Sequence, residues 1–355
     1  MKRILALAFA VLLAPAVVVS GEMPVKYRVA LSEGGAGLVR GLTFHAPFSD
    51  PANPLTVYKG SALTFTRAHD ATHTATYIHP TMGLVTVADA DQLRIEASGA
   101  LAELAGVNLL TYSQVFSGWT LADGGSVTDD NVTAPDGNLT AAKLTDNNAA
   151  AGTQLRKAIS VSAATSYAVS LFIRKTTGAT TRPIFELYYT DTGGAAIYTQ
   201  VAVNTNTGVL TANPSYPPDA SGSESVGNYW RVWIARTSGA SSTTGVWSLY
   251  PAAATLASPG YDGALTGTIY IWGAQMEAGV SASSYIPTVA TTMTRNADAL
   301  TFPTIASPGT AIAKVDGVLQ EVTYATFDPV GHHTKEFREW SRTLSAAEIA
   351  AVVGP

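Results

Sequence analysis

The stretch Pro183-Ile184-Phe185-Glu186-Leu187-Tyr188-Tyr189 decides the fold class. Successive side chains of a β-strand point to opposite faces, so this run puts Phe185, Leu187 and Tyr189 on an apolar face and Glu186 and Tyr188 on a polar one. Working outward, the same reading predicts strands over Tyr167–Arg174, Ile184–Thr190, Ile197–Val203, Tyr229–Arg236, Thr244–Tyr250 and Thr268–Met276. Turn chemistry separates them: Asp136-Gly137, Thr192-Gly193-Gly194, Asn206-Thr207-Gly208 and Asp262-Gly263. Short strands of this kind with no helical pattern between them point to two antiparallel sheets packed as a sandwich.

Composition agrees. Charged residues make up 13% of the 355 residues, with 31 Gly and 18 Pro, which suits many strands and tight turns. Six Trp, 15 Tyr and 10 Phe can fill a core. With no Cys, the fold owes nothing to disulfides, and thiolate catalysis and thiolate metal sites are excluded. A net charge of −5 with no basic run argues against nucleic acid as a partner. No repeat of the kind that builds a parallel β-helix is present.

The chain divides into four blocks. Residues 1–21 open with Met1-Lys2-Arg3 and an apolar run from Ile4, followed by small residues, which reads as a secretory signal peptide; the alternative is an uncleaved apolar leader, either a membrane anchor or an assembly helix. Residues 34–105 form a β-rich N-terminal block, 106–300 the strand-rich centre and 301–355 a tail. The tail holds a hairpin-like stretch over Ala311–Tyr324, turning at Asp316-Gly317, and a short helix over Leu344–Ile349 with Ser345 as its cap and Glu348 at the capping-box position.

Three ordered passages carry a resemblance. The first is Leu63-Thr64-Phe65-Thr66-Arg67-Ala68, leading to Ala75-Thr76-Tyr77 and Gly83-Leu84-Val85. The second runs Val107-Asn108-Leu109-Leu110-Thr111-Tyr112-Ser113, then Trp119, Ala134-Pro135-Asp136-Gly137 and Ala142-Lys143-Leu144-Thr145. The third is Ile269-Tyr270-Ile271-Trp272-Gly273-Ala274-Gln275-Met276-Glu277, then Ser284-Tyr285-Ile286-Pro287-Thr288 and Thr294-Arg295-Asn296-Ala297-Asp298. Together they resemble the phage head-spike and tail-fibre domain, a jelly roll similar to carbohydrate-binding modules, over about Ala62–Leu300. The tail from Lys335 to Ile349 resembles the closing segment of laminin-G/concanavalin-like lectin domains, but is too short for a whole one; a split domain, with the N-terminal block pairing against the tail, is an open alternative.

The resemblance implies an all-β, antiparallel jelly-roll β-sandwich with an extended N-terminal β-rich block and a short lectin-like C-terminal segment. It also implies a virion appendage protein, a fibre or spike component, working as a homo-oligomer with other virion proteins and binding a bacterial surface polysaccharide. The leader supports another reading, an exported bacterial glycan-binding or adhesion protein carrying a prophage-derived module. The protein is thus expected in the virion, or outside the cell if the leader is cleaved. No nucleophile elbow, P-loop or dinucleotide fingerprint occurs, so no enzyme activity is expected; a glycan-cleaving enzyme ranks last.

A sugar site needs flat aromatic faces and polar groups that fix hydroxyls. The candidates are Trp119, placed after a loop where exposure is expected, the alternative being that it plugs the end of the sandwich, and Arg174, Glu186 and Tyr188 as a platform on the sheet, the alternative being an ordinary outer sheet face. Calcium held by loop carboxylates is a further candidate, at Asp129, Asp130, Asp136 and Asp262, although turn chemistry accounts for these residues equally well.

Overall fold

The computed structural model describes residues 42–47, 64–67, 75–89, 92–96, 99–255, 261–301, 311–315, 318–322, 332–340, 344, 346–347 and 349. The apolar leader and the proposed cap residues Ser345 and Glu348 lie outside them; residues 346, 347 and 349 are helical. The chain divides into two compact units.

The larger unit, Thr66–Ala97 with Glu103–Asp298, contains the sandwich. In chain order its strands are Thr120–Ala122 (β1), Ser126–Val132 (β2), Ala141–Asp146 (β3), Gln154–Ser160 (β4), Ser166–Arg174 (β5), Thr181–Asp191 (β6), Ala196–Val203 (β7), Leu210–Ala212 (β8), Ala220–Val226 (β9), Tyr229–Thr237 (β10), Ser242–Thr255 (β11) and Gly267–Ala278 (β12). One sheet runs β9-β10-β5-β12-β3-β2 and the other β8-β7-β6-β11-β4-β1. The antiparallel pairs β3·β12, β4·β11, β5·β10 and β6·β7 nest inside one another and alternate between the sheets. That is a ribbon of paired strands wound across two sheets, the jelly-roll connection.

The period-two pattern places the core. Val169, Leu171 and Ile173 of β5, Phe185, Leu187 and Tyr189 of β6, and Trp247 and Leu249 of β11 all point between the sheets. Trp247, fully buried, meets Trp119 edge-on at 5.0 Å and Phe185 at 5.6 Å. Burying each such side chain contributes about 1.5–3 kcal/mol, which fixes the register of every central strand.

All six strands expected from the pattern are present, each longer by between one residue and the seven of Ser242–Thr255. The polar edge strands and β3 and β4 were not marked by it. β2 reads Ser-Val-Thr-Asp-Asp-Asn-Val and β9 reads Ala-Ser-Gly-Ser-Glu-Ser-Val; both lie at sheet edges and are largely exposed, so no apolar alternation is required of them.

The outer face of the first sheet is covered within the same unit. Trp272 of β12 points outward by alternation with Ile271, a bulge at Gly273 (φ +65°) returns Ala274 and Met276 to the core, and a Cβ at Gly273 would come within 2.9 Å of the Phe172 ring. Trp272 then packs with Phe172, Tyr229, Tyr285 and Val85 in a second apolar cluster. Beside it lies a buried ionic network. Arg94 Nη1 sits 2.6 Å from Glu103 Oε2, Arg295 Nη1 3.3 Å from the same oxygen, and Arg67 Nη1 3.1 Å from Asp298 Oδ1; Arg94 also pairs with Asp298. Ser284 adds its amide (2.8 Å) and hydroxyl (2.6 Å) to Glu103. Burial alone would raise the Glu103 pKa, but Arg295, Arg94 and Ser284 overcome it and hold the carboxyl down to about 2.

The smaller unit contains an antiparallel sheet in which Val318–Val322, Ala311–Val315 and His332–Trp340 are neighbours. His332–Trp340 also pairs with Gly99–Ala102 and with Leu42–Pro47, so N-terminal and C-terminal segments share one sheet.

Candidate functional site

The outer face of the second sheet is polar and rich in tyrosine. Tyr188 of β6 stands directly opposite Tyr198 of β7, with ring centroids 5.2 Å apart, and Tyr216 continues the row 5.5 Å beyond Tyr198. Tyr216 comes from the segment after β8. That segment is tied to β7 by Gln200 N donating to Tyr216 O (2.9 Å) and Asn213 N donating to Gln200 O (3.0 Å). A second pair, Tyr250 of β11 and Tyr261, has centroids 5.2 Å apart. Tyr261 lies over the backbone of Gly152, where a Cβ would approach its phenol oxygen to 2.7 Å. Tyr198, Tyr216 and Tyr261 expose 37%, 42% and 51% of their surface, enough to offer a ring to a ligand.

Between the two tyrosine groups runs a layer of fixed polar side chains. Register places Gln200, Glu186, Ser248 and Arg156 side by side across β7, β6, β11 and β4. Asn213 Nδ2 donates to Gln200 Oε1 (2.8 Å), and Gln200 Nε2 donates to Glu186 Oε2. The Ser248 hydroxyl also hydrogen-bonds Glu186. Gln154 Nε2 donates to Ser248 Oγ (3.1 Å) and to the Tyr250 hydroxyl (2.9 Å). Burial pushes the Glu186 carboxyl above its ordinary pKa, against the downward pull of Gln200 and Ser248. Burial likewise raises the Tyr188 phenol, against the pull of the Arg156 guanidinium that reaches its hydroxyl.

The four expected sugar-site residues do not form one platform. Glu186 and Tyr188 share the tyrosine face. Arg174 belongs to β5 of the opposite sheet, where its guanidinium stacks on Tyr270 at 5.4 Å. The expectation that Trp119 is exposed is corrected: it is 5% exposed, wedged edge-on between Phe116 and Trp247, with Lys157 over its ring. A loop tryptophan beside an open sandwich end gains more from filling the core than from facing water. The sequence pattern does not single out Tyr198, Tyr216, Tyr250 and Tyr261 as site residues. Tyr198 was within reach, since it alternates with Ile197 on a recognised strand; Tyr216 and Tyr261 come from loops, where no periodicity indicates a face.

The candidate calcium ligands are engaged in turns and edges. Asp129 accepts the amides of Phe116 (2.8 Å) and Ser117 (3.1 Å). Asp136 accepts from Asn138 N (3.0 Å), and Asp262 from Ala264 N (3.0 Å). Asp130 occupies a left-handed backbone position at φ +52° on the edge strand β2. Among the described residues, no group of three or more His, Cys, Asp or Glu side chains gathers in a way that could hold a metal ion.

No family profile and no curated protein matches this chain. Among solved structures, tailspike protein 4 of bacteriophage CBA120 matches at 14% identity and TM-score 0.31, over 48% of this chain and 21% of that one. The CBM22-1 xylan-binding domain of Paenibacillus barcinonensis Xyn10C matches at 15% identity and TM-score 0.30, over 52% of this chain and 98% of the module. The CBM35 of Cellvibrio japonicus Abf62 matches at 13% identity and TM-score 0.21, over 50% and 99%. At these scores the matches carry no inference about what this chain binds.

Proposed function

We propose that the chain is a non-catalytic glycan-binding component of a virion appendage, with the outer face of the second sheet as its contact surface. One observation carries the binding reading: two groups of tyrosine rings on the open sheet face flank a hydrogen-bonded row of Asn213, Gln200, Glu186, Ser248 and Gln154. Aromatic faces take sugar C–H groups, and amides and hydroxyls held in place by one another fix sugar hydroxyls without having to be ordered on binding. The appendage reading rests on the three ordered sequence passages, as do assembly into a homo-oligomer and contact with other virion proteins.

The test is a bacterial-glycan array with the full chain, followed by titration of the best ligand. Tyr198→Ala and Tyr216→Ala, at positions 37% and 42% exposed, are expected to weaken binding about tenfold or more each while leaving the chain folded, with only the small loss of stability that their ring contacts account for. Unaltered affinity in both variants would remove this face as the site. Release of reducing ends from the bound polysaccharide would overturn the non-catalytic reading.

The leader favours a second reading, an exported bacterial adhesion protein carrying the same module. N-terminal sequencing separates the two. Retention of Met1–Ser20 in an assembled particle eliminates export, and a mature protein that starts after the leader in the culture medium eliminates assembly in the cytoplasm.

A further inference from the structure

We propose that the glycan recognised by the tyrosine face is acidic, and that Arg156 pairs with its carboxylate; this rests on the reading of that face as a glycan site. Most cations of the sandwich have visible partners. Arg67, Arg94, Arg236 and Arg295 pair with carboxylates. Lys157, Arg174 and Lys175 lie over the rings of Trp119, Tyr270 and Trp230. Arg156 differs. It is half-buried on β4 and reaches the Tyr188 hydroxyl, and it joins none of the ion pairs among the described residues.

The carboxylate on this face does not neutralise it. Glu186 stands two strands across from Arg156 in the register and forms no ion pair with it among the described residues. It is 2% exposed and is held by Gln200 and Ser248. Further along β6 a second guanidinium, Arg182, donates to Thr211 Oγ1 (3.0 Å) and also joins no ion pair among the described residues; its Nε is buried without a hydrogen-bond partner.

Among the described residues, the face therefore carries two cations that join no ion pair, in a chain whose net charge is −5. A neutral sugar would leave the five donors of Arg156 only hydroxyls to meet. A uronate or sialate carboxylate would meet its fork with two parallel charge-assisted hydrogen bonds, while the neighbouring Tyr188 ring takes the sugar face.

The experiment compares the full chain with Arg156→Gln and Arg156→Lys by calorimetric titration. The probes are polygalacturonate, polysialic acid, each polymer after carboxyl reduction, and neutral xylan. At least one acidic polymer is expected to bind, and its carboxyl-reduced form to bind roughly ten- to hundredfold more weakly, as loss of a charge-assisted pair requires. Arg156→Gln should weaken the acidic polymer by the same factor, with Arg156→Lys in between, and added salt should weaken wild type more than Arg156→Gln. Equal binding of acidic and reduced polymers, or an acidic polymer bound as tightly by Arg156→Gln as by wild type, overturns the acidic class and leaves the glycan site standing. Binding of no polymer, acidic or neutral, overturns both.

Discussion

Replacing Glu103 with glutamine isolates what the buried ionic network contributes to the larger unit. The carboxylate faces Arg94 at 2.6 Å and Arg295 at 3.3 Å and accepts both the amide and the hydroxyl of Ser284. Arg94 and Arg295 are 0% and 1% exposed, so in a dry site the substitution leaves Arg94 paired with Asp298 alone and takes the Glu103 ion pair from Arg295. Holding the carboxyl from 4.5 down to about 2 corresponds to about 3 kcal/mol of stability at neutral pH. Removing one partner of a buried pair costs about 3–5 kcal/mol in general, so the two routes agree. The sign with pH follows. A depressed carboxyl stabilises the fold above its unfolded pKa, and that stability is lost as pH falls from 4.5 through about 2. Urea denaturation followed by tryptophan fluorescence should therefore show Glu103→Gln destabilised by about 3 kcal/mol at pH 7, with the gap to wild type narrowing steadily below pH 4.5. A loss under about 1 kcal/mol at pH 7, or a gap that stays constant into strong acid, would mean that the Glu103 carboxylate does not hold the network together.

Two further substitutions probe the sandwich. Trp119→Ala removes a ring packed against Phe116 and Trp247 and is expected to cost about 3–5 kcal/mol in the same denaturation assay, against the near-zero cost of an exposed loop tryptophan. Asn108→Ala strips a fully buried amide that donates to Ala274 O and Ile286 O and accepts from Leu110 N and Met276 N; a loss of about 3 kcal/mol or more is expected, and one below 1 would mean that water replaces it.

Much of the fold was legible because burial imposes a period. Strands with one face in the core, such as β5, β6 and β10, must alternate or run apolar, and Tyr229–Thr237 shows this in its letters. The edge strands escape that constraint. So does the role of the three ordered passages, which structure alone explains. Arg67 meets Asp298, Asn108 meets the backbone of Ala274, Met276 and Ile286, and Ser113 meets Tyr285 (2.6 Å) and Thr288. These residues, scattered along the chain, interlock beneath the surface of one unit. Within the passages they hold structure together, while the tyrosine face lies outside them.

The candidate site was half legible for the same reason. Glu186 and Tyr188 were placed on one outward face because strand parity is a local property of the backbone. Parity cannot say which sheet a strand joins, so Arg174 was assigned to the wrong surface. Nor can it say whether a loop folds in or out, so Trp119 was expected in water and Tyr216 and Tyr261 were passed over. By itself the sequence determined an all-β sandwich and the inward and outward faces of its central strands, because alternation is dictated residue by residue. Which outward faces are covered, which strands are neighbours and which polar groups meet is set by long-range pairing, between residues as far apart as Asn108 and Ile286, and no local pattern records it.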